Sequence, residues 1–103
     1  MIRFHNTLSG REEEFLPLVP GEVRIYTCGP TVYNVPHIGN FRAYVFEDLL
    51  LRFLRFSGYK TIQVMNLTDV DDKTIRGSQA EGVSLGEYTA KYADYFLQDL
   101  ETL

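Results

Sequence analysis

The sequence is short of cysteine, of positive charge and of uninterrupted apolar stretches. Its one cysteine, Cys28, excludes an internal disulfide and fits a reducing compartment. Ten Lys and Arg against fourteen Asp and Glu leave a net charge of −4. A non-specific grip on nucleic acid needs a basic surface, so any RNA partner has to be held mostly elsewhere. The most apolar run, Ala43 to Phe56, is broken by Glu47, Asp48, Arg52 and Arg55, so it does not span a membrane. Arg3, His5 and Arg11-Glu12-Glu13-Glu14 interrupt the first residues, where a signal peptide would carry its apolar core. No internal repeat, low-complexity tract or linker is visible. What remains is 103 residues with 45% hydrophobic and 23% charged content, which suits one modest globular domain.

Read in order, Ile2 to Leu8 alternates loosely and predicts a short strand. Ser9-Gly10 is a turn, and Glu14 to Val19 is expected to return as an edge strand limited by Pro17, giving an N-terminal β-hairpin. The acidic run Glu12-Glu13-Glu14 reads as a solvated face. Val23 to Cys28 reads as a strand and residues 29–36 as a loop. Phe41 to Ser57 follows as a helix with Phe41, Val45, Leu49, Phe53 and Phe56 on its apolar side. Gly58 stops it, and Lys60 to Asn66 is a second strand. Strand, helix and strand over so short a span predict a right-handed βαβ unit with parallel strands. A helix from about Asp71 to Glu81 is ended by Gly82. The next starts at a Ser84-Leu85-Gly86-Glu87 capping box and buries Leu85, Tyr88, Tyr92, Tyr95 or Phe96, Leu100 and Leu103.

Chemistry concentrates in Cys28-Gly29-Pro30-Thr31 and His37-Ile38-Gly39-Asn40, where the first strand turns into the long helix. A helix start carries unpaired N–H groups and partial positive charge, so it suits a phosphate. His37 and Asn40 lie one turn apart and could reach one anion. Each residue also has an ordinary reading: Cys28 as a small buried hydrophobe, His37 as a cap or packing residue, Gly39 as relief for a turn. Cys28, the two histidines and the carboxylates show no paired spacing, so they make a fraction of a metal site at best. Asp69-Val70-Asp71-Asp72 lacks the spacing of a calcium loop, and the helix dipole explains its carboxylates.

Cys28-Gly29-Pro30-Thr31-Val32-Tyr33 with His37-Ile38-Gly39-Asn40 resembles the signature of cysteinyl-tRNA synthetases. Phe4-His5-Asn6-Thr7-Leu8, Glu13-Glu14-Phe15, Ser57-Gly58-Tyr59 and Asn66-Leu67-Thr68-Asp69-Val70-Asp71-Asp72-Lys73 agree in order and spacing. The resemblance covers nearly the whole chain. It implies an α/β, Rossmann-type (HUP-like) fold, with residues 1–103 as the N-terminal half of a class I catalytic domain and the anticodon-binding domain absent. It implies activation of L-cysteine by ATP, with Mg, to cysteinyl-adenylate, and transfer to tRNA(Cys) in the cytoplasm. His37-Ile38-Gly39-Asn40 takes the place of the HIGH signature, with an amide where the last histidine usually stands. By this resemblance His37 and Asn40 are catalytic, and Thr31, His37, Gly39 and Asn40 bind ATP. Cys28, Gly29 and Thr68 meet the substrate cysteine, and Cys28 is one ligand of a zinc ion. Zinc prefers a thiolate to a hydroxyl, so it separates cysteine from serine by bond formation.

The second, KMSKS-type signature and the remaining zinc ligands have no counterpart in these residues. The expectation is therefore a fragment that is inactive alone, binds zinc weakly and self-associates through its uncovered half-sheet. Two alternatives stay open: a related ligase coupling cysteine to an amino sugar, and a non-catalytic nucleotide-binding module.

Overall fold

The computed structural model describes all residues 1–103. Near the N-terminus the Asn6 side chain accepts from the Leu8 amide (2.9 Å), and Gly10, at φ 69°, closes a tight turn. Strands β1 (Arg3–Asn6) and β2 (Arg11–Glu14) pair antiparallel across it, Arg3 opposite Glu14 and Asn6 opposite Arg11. The second strand is thus the charged run itself and not the expected Glu14–Val19. The turn sets the register, the last rung is Phe15 N–H to the Ile2 carbonyl (2.8 Å), and Pro17 has no N–H to extend it. Phe15 packs edge-on against Phe4 and Tyr59.

Strands β3 (Glu22–Thr27) and β4 (Lys60–Met65) form a separate parallel pair, in register from Glu22–Lys60 to Thr27–Met65. Helix α1 (Ile38–Phe56) connects them, as the sequence predicts, but starts three residues before Phe41. It buries Phe41, Leu51 and Leu54. Of the expected stripe only Phe41 is buried: Val45, Leu49, Phe53 and Phe56 are exposed. The helix is apolar around most of its circumference, and a two-stranded sheet covers only one side of it.

Helix α2 (Asp72–Glu81) begins at the Asp71 N-cap and ends at Gly82, left-handed at φ 68°. Helix α3 (Leu85–Thr102) begins at Ser84, whose side chain accepts from the Glu87 amide. It buries Tyr88, Thr89 and Phe96, whereas Tyr95 and Leu103 are exposed. Phe96 stacks on Phe41 at 5.8 Å and meets Tyr44 edge-on at 5.2 Å, attaching the α2–α3 hairpin to the start of α1. The radius of gyration is 17.1 Å, against about 13 Å for a compact chain of this size. The excess reflects the extended outline, 53 × 31 × 24 Å along its principal axes. No helix is long and apolar enough to cross a membrane.

Candidate functional site

Beyond its last regular rung the parallel ladder continues through the loop. Thr68 donates its amide to the Pro30 carbonyl (2.9 Å) and accepts from the Val32 amide (3.1 Å), so Thr31 pairs with Thr68. Asn66 adds a side-chain tie: its Oδ1 accepts from the Gly29 amide (2.8 Å) and its Nδ2 donates to Thr68 Oγ1 (3.3 Å). Gly29 is required by this crossing. A Cβ there would overlap the Asn66 carbonyl oxygen and sit 2.9 Å from Met65 Cγ. Gly29 and Thr68 therefore hold the two strand ends together, with the Thr68 hydroxyl engaged by Asn66.

The loop leads to a helix start built by reciprocal capping. His37 Nδ1 accepts from the Gly39 amide (3.0 Å), and Asn40 Oδ1 accepts from the His37 amide (3.0 Å). An accepting Nδ1 places the neutral imidazole's proton on Nε2. The capping reading of His37 is thus correct, and it leaves His37 Nε2–H and Asn40 Nδ2 as donors without a partner in the protein. Gly39 has a steric reason: a Cβ would stand 2.8 Å from His37 Cε1, so only glycine admits the ring over the first turn.

His37 and Asn40 line a cleft of about 280 Å³, with Thr31, Tyr33, Tyr44 and Lys73 among its other walls. Cys28, Gly29, Gly39 and Thr68 are not among the lining residues. Cys28 is exposed, not the buried hydrophobe of the ordinary reading, and its only contact of hydrogen-bond type is a weak one with the Gly29 carbonyl (3.5 Å). Burial, then the nearby Glu47 and Cys28, hold the Tyr44 phenol above its usual pKa. No three His, Cys, Asp or Glu side chains gather closely enough to hold a metal ion, so the chain's residues do not make a zinc centre by themselves. Asp71 caps α2 and Asp72 lies in its first turn, as the dipole reading expects; Asp69 is exposed.

The sequence reading gave no role to Tyr33, Asn66 and Lys73, though they stand in its motifs, and passed over Tyr44. Lys73 had one signal: a cation in the first turn of a helix opposes the dipole. Despite three neighbouring aspartates it forms no salt bridge, and its ammonium lies 4.9 Å from the centre of the Tyr33 ring. It is the cleft's one lysine or arginine.

Residues 14–103 match the family described as tRNA synthetases class I (C) catalytic domain. The chain is 55% identical over 102 residues to a cysteine–tRNA ligase of Protochlamydia amoebophila, covering 99% of this chain and 21% of that protein. It is 52% identical over 103 residues to that of Methanosarcina mazei, covering 100% and 22%. With that of Chlamydia trachomatis the identity is 58% over 99 residues, covering 96% and 20%. The chain thus spans about a fifth of the length of these relatives.

Proposed function

The chain belongs to the class I (C) tRNA synthetase catalytic-domain family, and we propose that it supplies the ATP-binding, N-terminal part of a cysteine–tRNA ligase. The βαβ unit is then half of a Rossmann-type fold, and the cleft lies beyond the carboxyl ends of its strands, where open parallel sheets bind ligands. In the reaction a carboxylate oxygen of cysteine attacks the α-phosphorus of magnesium-bound ATP. The new O–P bond gives cysteinyl-adenylate as pyrophosphate leaves. A 3′-terminal hydroxyl of tRNA(Cys) then attacks the acyl carbon, and AMP departs.

The observation that supports this reading is the reciprocal cap at the head of α1. It fixes His37 and Asn40 and leaves one donor on each for phosphate oxygens. Such donors, held in place before charge develops, stabilise the transition state; removing one costs about 10²–10³ in rate. Asn40 does both jobs because an amide has an acceptor for the cap and donors to spare, which accounts for the amide at the last position of the signature. Thr31 lines the same cleft, Gly39 gives the His37 ring its room, and Gly29 and Thr68 keep Cys28 at the strand tip beside the substrate cysteine. Cys28 would be one ligand of a zinc ion whose other ligands these residues do not supply.

Replacing the matching segment of the Protochlamydia amoebophila ligase with this chain tests the proposal. The chimera is expected to catalyse cysteine-dependent ATP–pyrophosphate exchange and to charge tRNA(Cys). The His37→Ala chimera should lose exchange by about 10²-fold or more. A folded chimera that charges no tRNA, or that couples cysteine to an amino sugar instead, overturns it.

A further inference from the structure

The loop between β3 and α1 is fixed at both ends, by Thr68 at residues 30–32 and by the cap at His37. Between Val32 and His37 a single hydrogen bond reaches another element: the Tyr88 hydroxyl of α3 donates to the Tyr33 carbonyl, 55 residues away in sequence. Tyr88 is only 5% exposed, and Tyr92, itself a cleft wall, packs edge-on against its ring at 4.9 Å. Helix α2 is shaped to admit it. A Cβ on Gly77 would overlap the Tyr88 hydroxyl, and an interior glycine otherwise weakens so short a helix. The other end of Tyr33, its ring, lies under the ammonium of Lys73 from the same α2–α3 hairpin.

We propose that Tyr88 is a positioning residue for the cleft: by holding the Tyr33 carbonyl it sets the stance of the loop that faces His37 and Asn40. Its consequence for ATP rests on the phosphate reading above. Loss of the hydroxyl alone releases the middle of the loop while the ring still fills its place in the hairpin.

The test compares the wild-type chain with Tyr88→Phe and Gly77→Ala, by amide hydrogen exchange without ligand and by calorimetric titration with ATP·Mg. Both variants should speed exchange at Tyr33 and Val35 by about five- to tenfold, the equivalent of one net hydrogen bond. Amides of β3 and β4 should change less than about twofold, and ATP·Mg should bind more weakly by a factor similar to that seen in the loop. Unchanged loop exchange in Tyr88→Phe overturns the proposal. So does acceleration spread evenly over the whole chain, which would mark Tyr88 as a packing residue only. A wild-type chain that shows no ATP·Mg binding counts against the phosphate reading instead, and the exchange pattern still decides the role of Tyr88.

Discussion

Gly39→Ala should separate stability from ligand binding at the helix start. The added methyl would stand 2.8 Å from His37 Cε1 and 2.9 Å from Nδ1, closer than packed carbons approach. The obstacle is a side chain, so the imidazole swings away and the backbone stays. The cap from Gly39 N–H to Nδ1 (3.0 Å) is lost, at about 0.5–2 kcal/mol. Alanine in place of glycine within a helix returns about 0.8–1 kcal/mol. The net change is within about 1 kcal/mol, or about 4–8 °C in Tm for a chain of this size. The displaced imidazole, however, can no longer donate to a phosphate. A hydrogen bond to a charged group is worth about 1.5–3 kcal/mol, so ATP·Mg should bind about 10- to 100-fold more weakly. Circular-dichroism melts and calorimetric titration measure the two quantities. In the double variant His37→Ser/Gly39→Ala the serine restores a cap with no ring to obstruct; it should melt at or above wild type and still bind poorly. Wild-type affinity in Gly39→Ala would refute the reasoning, because the ring would then have no part in the site.

Gly29→Ala should behave in the opposite way. Its methyl meets the backbone carbonyl of Asn66, which no rotamer change relieves, so the strand ends must part and the three hydrogen bonds joining residues 29–32 to 66–68 are strained. A loss of about 2–4 kcal/mol is expected in urea melts, and a change under about 0.5 kcal/mol would contradict it. The Glu22 carboxyl is held below its usual 4.5, first by its hydrogen bond with Arg24 (2.6 Å), with the charges of Arg24 and Lys60 assisting and burial opposing. Its depressed pKa gives stabilisation that is present above 4.5 and lost as the pH falls through the folded-state value. Urea midpoints should therefore drop below that pH, and Glu22→Gln should flatten that part of the profile; an unchanged slope would show the pair to be idle. The exposed side of α1, with Val45, Leu49, Phe53 and Phe56, should make the isolated chain self-associate. Sedimentation should show concentration dependence that Leu49→Glu/Phe53→Glu removes, and a wild-type monomer at every concentration would count against it.

Much of the fold was written in short-range signals. Asp71 and Gly82 bound α2, Ser84 starts α3, and the β-branched runs around Val23 and Ile62 mark the parallel strands, because caps and turns act within a few residues. His37 and Asn40 could be found the same way, since both act within the first turn they belong to. The sequence did not reveal which of its charged residues would pair as β2: nothing in Arg11-Glu12-Glu13-Glu14 favours a strand until Arg3–Asn6 lies beside it. Nor could it choose the buried side of α1, where apolar residues surround the helix and only the position of the sheet selects Leu51 and Leu54. Gly29 against Asn66 and Tyr88 against Tyr33 join residues 37 and 55 apart in the chain. Such contacts have no local signature, because they depend on where two separately specified elements come to rest. The amino-acid order by itself determined the helices, the parallel strands and the head of the site; the packing of those elements decided where β2 pairs and which side chains wall the cleft.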